Sequence, residues 1–387
     1  MGGVPISPRY AGCVATAPAP INLDALAGIP MTPGVLAAWQ SAAEQGFSDP
    51  ARLHHVGRHA GLLLDSARAS IAQSLGVRSD QIFFASSAPD GLRVAITGIF
   101  RTRAAVSRRI IAGAVESMAV LNTVSGLVEH SGASVTSIPV NSWGELDLDT
   151  ALSALGEPAA LACLQVANAE VGTRQPFSQL LAAARSHGVP VVADASGVVS
   201  HDPLPADFDV LVAPARDWGG PPGVAVVITH AHIRWRPEEA PDRGWIGGFP
   251  DIPAAVAAAV ALEESRTDST SADLAREHIQ VVRARLTSLA HLGLECAGAP
   301  DNRLPHILTF TISGAAAGEL VTELDKRGIY VAAGSACTAD NRMPSHVLQA
   351  MGLPHESSIR LSLPPDVSEH QIEQFLTGLP DALASIT

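Results

Sequence analysis

Residues 178–193 read SQLLAAARSHGVPVVA: a helical window from Ser178 to Arg185, a stop at Gly188, then the apolar run Pro190-Val191-Val192-Ala193. Helix, glycine and buried strand in that order are one αβ step of a sheet covered by helices. The same alternation extends outward from about Pro33 to Val227. Gln81 to Ala85, Arg109 to Ala112, Ala160 to Leu164 and Val224 to Ile228 are further short apolar runs, and Leu62 to Leu75 is another helical window. Runs apolar at every position are buried on both faces, which predicts an α/β domain built on a mainly parallel sheet. From Pro250 the pattern changes. Ala-rich helical windows reach Glu264 and run from Ala272 to Leu289; Leu304 to Ile312, a helix to Arg327, the run Ile329-Tyr330-Val331, a loop from Gly334 to Ser345 and a last helix after Ser368 follow. The expected division is a large domain over 31–252 and a smaller α+β domain from 1–30 and 253–387.

Composition narrows the function. The 387 residues carry 25 Lys and Arg against 38 Asp and Glu, a net charge of −13, and phosphate neutralisation needs the opposite balance, so a nucleic-acid partner is not expected. With 47% hydrophobic and 16% charged residues the chain can bury a large core. The longest apolar stretch, Ile252 to Leu262, is too short to span a membrane, and the first residues carry no recognisable targeting pattern. Cys13, Cys163, Cys296 and Cys337 form no CxxC pair, which favours a reducing, cytoplasmic setting. Lys326 is the only lysine in the chain.

Several segments together resemble one family. They are Gly334-Ser335-Ala336-Cys337-Thr338; Pro344-Ser345-His346-Val347-Leu348; Ile359-Arg360-Leu361-Ser362-Leu363; Glu170-Val171-Gly172 with Gln175-Pro176; Asp194-Ala195; and Gly219-Gly220-Pro221. In order and spacing these are similar to the cysteine desulfurases of the NifS/IscS group, fold-type I pyridoxal-phosphate (PLP) enzymes of the class V aminotransferase superfamily. The resemblance covers about Asn22 to about Phe375. It implies an aspartate-aminotransferase-like α/β fold, a homodimer, PLP as cofactor, and Cys337 as the thiol that carries a persulfide on a loop to a scaffold or carrier.

The same resemblance exposes a gap. The family holds PLP as an imine on a lysine in a Ser-x-His-Lys-x-Gly-Gly-Pro segment. Here that stretch is Pro214-Ala215-Arg216-Asp217-Trp218-Gly219-Gly220-Pro221, so Asp217 stands where the resemblance puts the lysine, and a carboxylate forms no imine. Two family hydroxyls that bind the phosphate correspond to Pro214 and Pro89, which lack both a side-chain donor and an N–H. The ring-stacking histidine corresponds to Ser117, and a glutamine after Asp-Ala to Gly197. Asp194, the partner of the pyridine nitrogen, is kept, and Arg216 is a candidate phosphate contact. Asp217 and Asp90 add negative charge. The expectation is therefore no covalently bound PLP.

Arg360 would clamp a substrate carboxylate by resemblance, or serve as an interdomain ion pair. The histidine pairs His55/His59 and His230/His232 have metal-compatible spacing without a third ligand; with His54 and His346 they read as ordinary polar residues, and no metal site is expected. Three functions stay open: a sulfur-transfer protein using Cys337 as persulfide acceptor or iron–sulfur cluster ligand with a partner; an active desulfurase or other PLP enzyme with non-covalently bound PLP; or a non-catalytic partner subunit of an intact desulfurase.

Overall fold

The computed structural model describes residues 20–199, 201–238, 240–267, 270–334, 344–354 and 357–386. From the N-terminus come β1 (Ile21–Asn22), α1 (Pro33–Gln45), α2 (His55–Leu75), β2 (Ile82–Ala85), α3 (Ala88–Arg103), β3 (Arg109–Gly113), α4 (Met118–Ser131) and β4 (Ser134–Ile138). There follow α5 (Leu148–Leu155), β5 (Leu161–Gln165), α6 (Phe177–Ser186), β6 (Val191–Asp194), β7 (Val210–Pro214), β8 (Ala225–Thr229), β9 (Trp245–Ile246), α7 (Ile252–Thr267) and α8 (Ser271–Ser288). The last elements are β10 (Leu294–Ala297), β11 (Ile307–Ile312), α9 (Ala317–Asp325), β12 (Ile329–Tyr330), β13 (Ala332–Ala333), α10 (His346–Ala350), β14 (Ser358–Ser362) and α11 (Glu369–Ala384).

Eight strands form the large sheet in the order β4-β3-β5-β6-β7-β8-β2-β9. Its pairs are parallel except where β8 meets β7 and β2, so one strand runs against the rest. Strands β5 to β8 are buried along their whole length because helices cover both faces. On one face α2 and α7 pack over Phe84, Leu164, Ala193 and Leu211; on the other α3 and α4 pack over Ile110, Cys163 and Val212. The expected strands are all present, and β7, which the sequence reading did not mark, lies between β6 and β8.

Two boundaries differ from the sequence reading. The helix expected from Leu62 starts at His55, because His54 caps it through Nδ1, which accepts from Gly57 N at 3.2 Å. The division expected after residue 252 falls at the first residue of α7, whose Ala254, Ala255, Ala257, Ala258 and Ala261 are buried in the core of the large sheet. Small side chains let that helix lie against α1 and α2 without a polar face. The second core starts with α8, where Ile279, Val282 and Leu286 meet the four-stranded sheet β10-β11-β14-β13 and α11. Ile21 and Leu23 belong to this core too, since β1 pairs with β12.

Candidate functional site

The parallel strands aim their carboxyl ends at the seam between the two cores, where α/β sheets place their sites. Asp194 ends β6, is 5% exposed, and turns the chain by accepting from Ser196 N at 2.9 Å. Beyond β7, Pro214 leads into a 3-10 turn, Ala215–Trp218, which Gly219 ends at φ +82°. Trp218 ties this turn to α7 by donating Nε1–H to Ala258 O at 3.0 Å. The turn drives Asp217 inward: it is buried, and its Oδ2 accepts from Gly197 N at 2.5 Å. Burial pushes the Asp217 carboxyl up to about 7, with Asp194 adding to the rise and the Gly197 hydrogen bond, Arg216 and Arg360 opposing it.

Two more acids follow the ends of β3 and β5, the buried Glu116 and the half-buried Glu170. Glu116 is 0% exposed; its Oε1 accepts from Gln165 N at 2.8 Å, while Oε2 has no partner among the described residues. Burial holds this carboxyl well above its ordinary range against the Gln165 hydrogen bond, and Asp194 pushes the same way as burial. Glu170 accepts from Ser345 Oγ at 2.5 Å, and burial raises it to about 7 against that bond and Arg360. The loop between them is pinned by Asn168, which donates to Val115 O and accepts from Glu170 N and Val171 N. Neither glutamate stood out as a site residue in the sequence; an acid inside the apolar run Ala114-Val115-Glu116 was the available signal.

The remaining expected residues are placed as follows. Arg360, on β14, forms an ion pair with Asp24 at 3.0 Å, and its buried Nε has no partner among the described residues. Arg216 is exposed at the turn. Ser117 begins α4 without a capping bond, and its Oγ is buried and unpartnered among the described residues. At the start of α3, Ser87 Oγ accepts from Asp90 N at 3.2 Å, Pro89 is exposed and Asp90 pairs with Arg93 at 2.6 Å. Lys326 caps the end of α9 on the opposite core, where its exposed Nζ meets Glu323 at 2.5 Å. Cys163 is buried in β5. Cys13 and Cys337 lie outside the described residues. His59 meets Gln45, His232 meets His230 and Asp209, and His346 meets Glu116 O. Among the described residues no three His, Cys, Asp or Glu side chains converge as a metal site, and no helix is long and apolar enough to cross a membrane.

These residues do not fit PLP. The turn around Asp217 offers no amine for an imine, since the only lysine, Lys326, caps the far end of α9. The positive end of α3, a natural phosphate seat, has Pro89 without an N–H in its first turn, the Asp90 N–H engaged by Ser87, and the Asp90 carboxylate against it. Each unpaired or repelling group costs about 1–3 kcal/mol of binding.

Such a fold, a large mixed sheet with its seam at the strand ends, is that of the fold-type I PLP proteins. The chain belongs to the family described as aminotransferase class-V, whose model matches residues 21–375. It is similar to an IscS-like cysteine desulfurase of Mycobacterium tuberculosis, 33% identical over 382 residues that cover 94% of this chain and 96% of that one. It is likewise similar to a cysteine desulfurase of Rhodobacter capsulatus, 32% identical with 95% and 97% covered. Among solved structures, one titled NifS-like protein superposes with a TM-score of 0.84 at 26% identity, covering 95% of this chain and 100% of that chain. Family membership implies PLP.

Proposed function

We propose that this chain is a sulfur-transfer member of the cysteine desulfurase group that forms no internal aldimine. The observation carrying the proposal is Asp217: the buried turn that ends in Gly219-Gly220-Pro221 presents a carboxyl bonded to Gly197 N, in a chain whose only lysine is an exposed residue of α9. Sulfur would then be released from cysteine elsewhere and received here. Cys337, in the segment that most resembles the family, is the acceptor in this reading. Its thiolate attacks the outer sulfur of a donor persulfide, the S–S bond of the donor breaks, the donor leaves as a thiolate, and Cys337 becomes the persulfide with no net oxidation.

The donor would be an intact desulfurase and the next acceptor an iron–sulfur scaffold or a sulfur carrier, with Cys337 as a thiolate ligand if a cluster forms on that scaffold. A homodimer and a cytoplasmic setting belong to the same reading. The test is transfer of labelled sulfur from a competent desulfurase, followed on Cys337 and on a scaffold. Cys337→Ser is expected to abolish labelling of this chain, whereas unchanged transfer in that variant would refute the role.

A further inference from the structure

A pocket of about 370 Å³ opens beyond the amino ends of the parallel strands, at the opposite end of the large sheet from Asp194 and Asp217. Gly188, which leads into β6, and Asp209, which immediately precedes β7, line it together with Arg103, the last residue of α3, and Arg234, in the loop after β8. That loop is laid along α3: Arg236 N donates to Gly98 O at 2.9 Å, and Thr102 Oγ1 donates to Arg234 O at 2.8 Å. Trp235 anchors it, with its ring centroid 5.2 Å from that of Phe83. Two arginines far apart in the chain are thereby brought to one pocket.

The charges around this pocket do not cancel. Asp209 is 1% exposed and already engaged: its Oδ1 accepts from Arg185 Nε at 2.8 Å and lies 3.1 Å from His232 Nε2, and its Oδ2 accepts from Val191 N at 3.0 Å. Arg185 is shared between Asp209 and Asp207. Arg103 spends Nη2 on Gly188 O at 2.7 Å, while its Nε is buried with no partner among the described residues. Neither Arg103 nor Arg234 has a carboxylate partner among the described residues. The carbonyls that end α3 oppose an anion, and they are taken up, Phe100 O by Ala104 N and Arg103 O by Val106 N. Two uncompensated guanidinium groups thus belong to one pocket in a chain of net charge −13. Val106 and Ile233 add apolar lining.

We propose that this pocket binds a small molecule carrying a phosphate group on an apolar ring, with the phosphate held by Arg103 and Arg234. A guanidinium presents paired N–H donors that match phosphate oxygens. A phosphate dianion neutralises both cations at once, which a monocarboxylate does not. The volume is in the range of small-molecule sites and exceeds what a bare phosphate fills, and Val106 and Ile233 suit a ring beside it. The site requires nothing of the sulfur-transfer reading.

Isothermal titration of the full chain with phenyl phosphate, inorganic phosphate and benzoate at constant ionic strength tests it. Phenyl phosphate is expected to bind saturably, and several-fold more tightly than inorganic phosphate, which lacks the ring, or benzoate, which lacks the second charge. Arg103→Gln and Arg234→Gln are each expected to weaken phenyl phosphate binding several-fold, whereas Arg276→Gln, an exposed arginine of α8, leaves it unchanged. Arg234 is exposed and bonds no other side chain, so its variant keeps the test valid even if Arg103→Gln fails to fold. Absence of saturable phenyl phosphate binding, equal binding of benzoate or inorganic phosphate, or binding that survives Arg234→Gln overturns the site.

Discussion

Asp217 Oδ2 accepts a 2.5 Å hydrogen bond from Gly197 N, which joins the turn after β7 to the turn after β6. A carboxyl therefore spans the space between the two loops that close the cradle. Its cost is that an acid is buried beside a second acid, Asp194, and its benefit is a fixed loop geometry.

The cost has a sign that can be measured. A carboxyl held at about 7 in the fold and near 3.8 when free binds its proton more tightly in the folded chain. Its contribution to stability is full below the free value, declines as pH rises to about 7, and is flat above. Asp217→Asn keeps the acceptor and removes the charge, so urea unfolding should find the variant more stable than wild type by about 1–3 kcal/mol above pH 7, with the difference shrinking towards pH 5.

His306 runs the other way. It is 1% exposed, stacks on His201 with ring centroids 4.0 Å apart, and is held well below its ordinary value by burial and by His201 and three arginines. A buried neutral imidazole contributes stability that is fully present above about 6.5 and is lost as pH falls below that value. His306→Phe preserves the stack, so melting curves from pH 7 down to pH 5 should show a smaller loss than in wild type.

Gly197 has φ +79°, and a Cβ there would meet Ile307 Cδ1 at 3.3 Å and Ala169 Cβ at 3.5 Å. Gly197→Ala is expected to cost about 1–2 kcal/mol from backbone strain and to loosen the Asp217 contact. Chemical denaturation gives the first; faster exchange of the residue 197 amide gives the second.

Much of this architecture is legible in the sequence, and the exceptions have physical causes. The strands read correctly because Leu164, Val192 and Val226 sit in runs buried on both faces, which leave no polar alternation to confuse them. The start of α2 was hidden because histidine is an uncommon cap. The allegiance of α7 was hidden because an alanine helix buried nearly all round has no face to point with. At the site, Asp194 and Asp217 are visible through the resemblance carried by Asp194-Ala195 and by Gly219-Gly220-Pro221. The acidity of Glu116 and Glu170 is not, since it depends on neighbours brought from far along the chain. Arg360 illustrates the limit: its partner Asp24 is 336 positions away, a pairing that only the folded chain creates.

Whether the turn around Asp217 forms an imine with PLP is read out by a visible absorbance titration of the purified protein with PLP. Spectra are expected to be the sum of protein and free PLP at every ratio, with borohydride reduction fixing no cofactor at the cradle. A saturable new band that borohydride traps on a cradle peptide would contradict it.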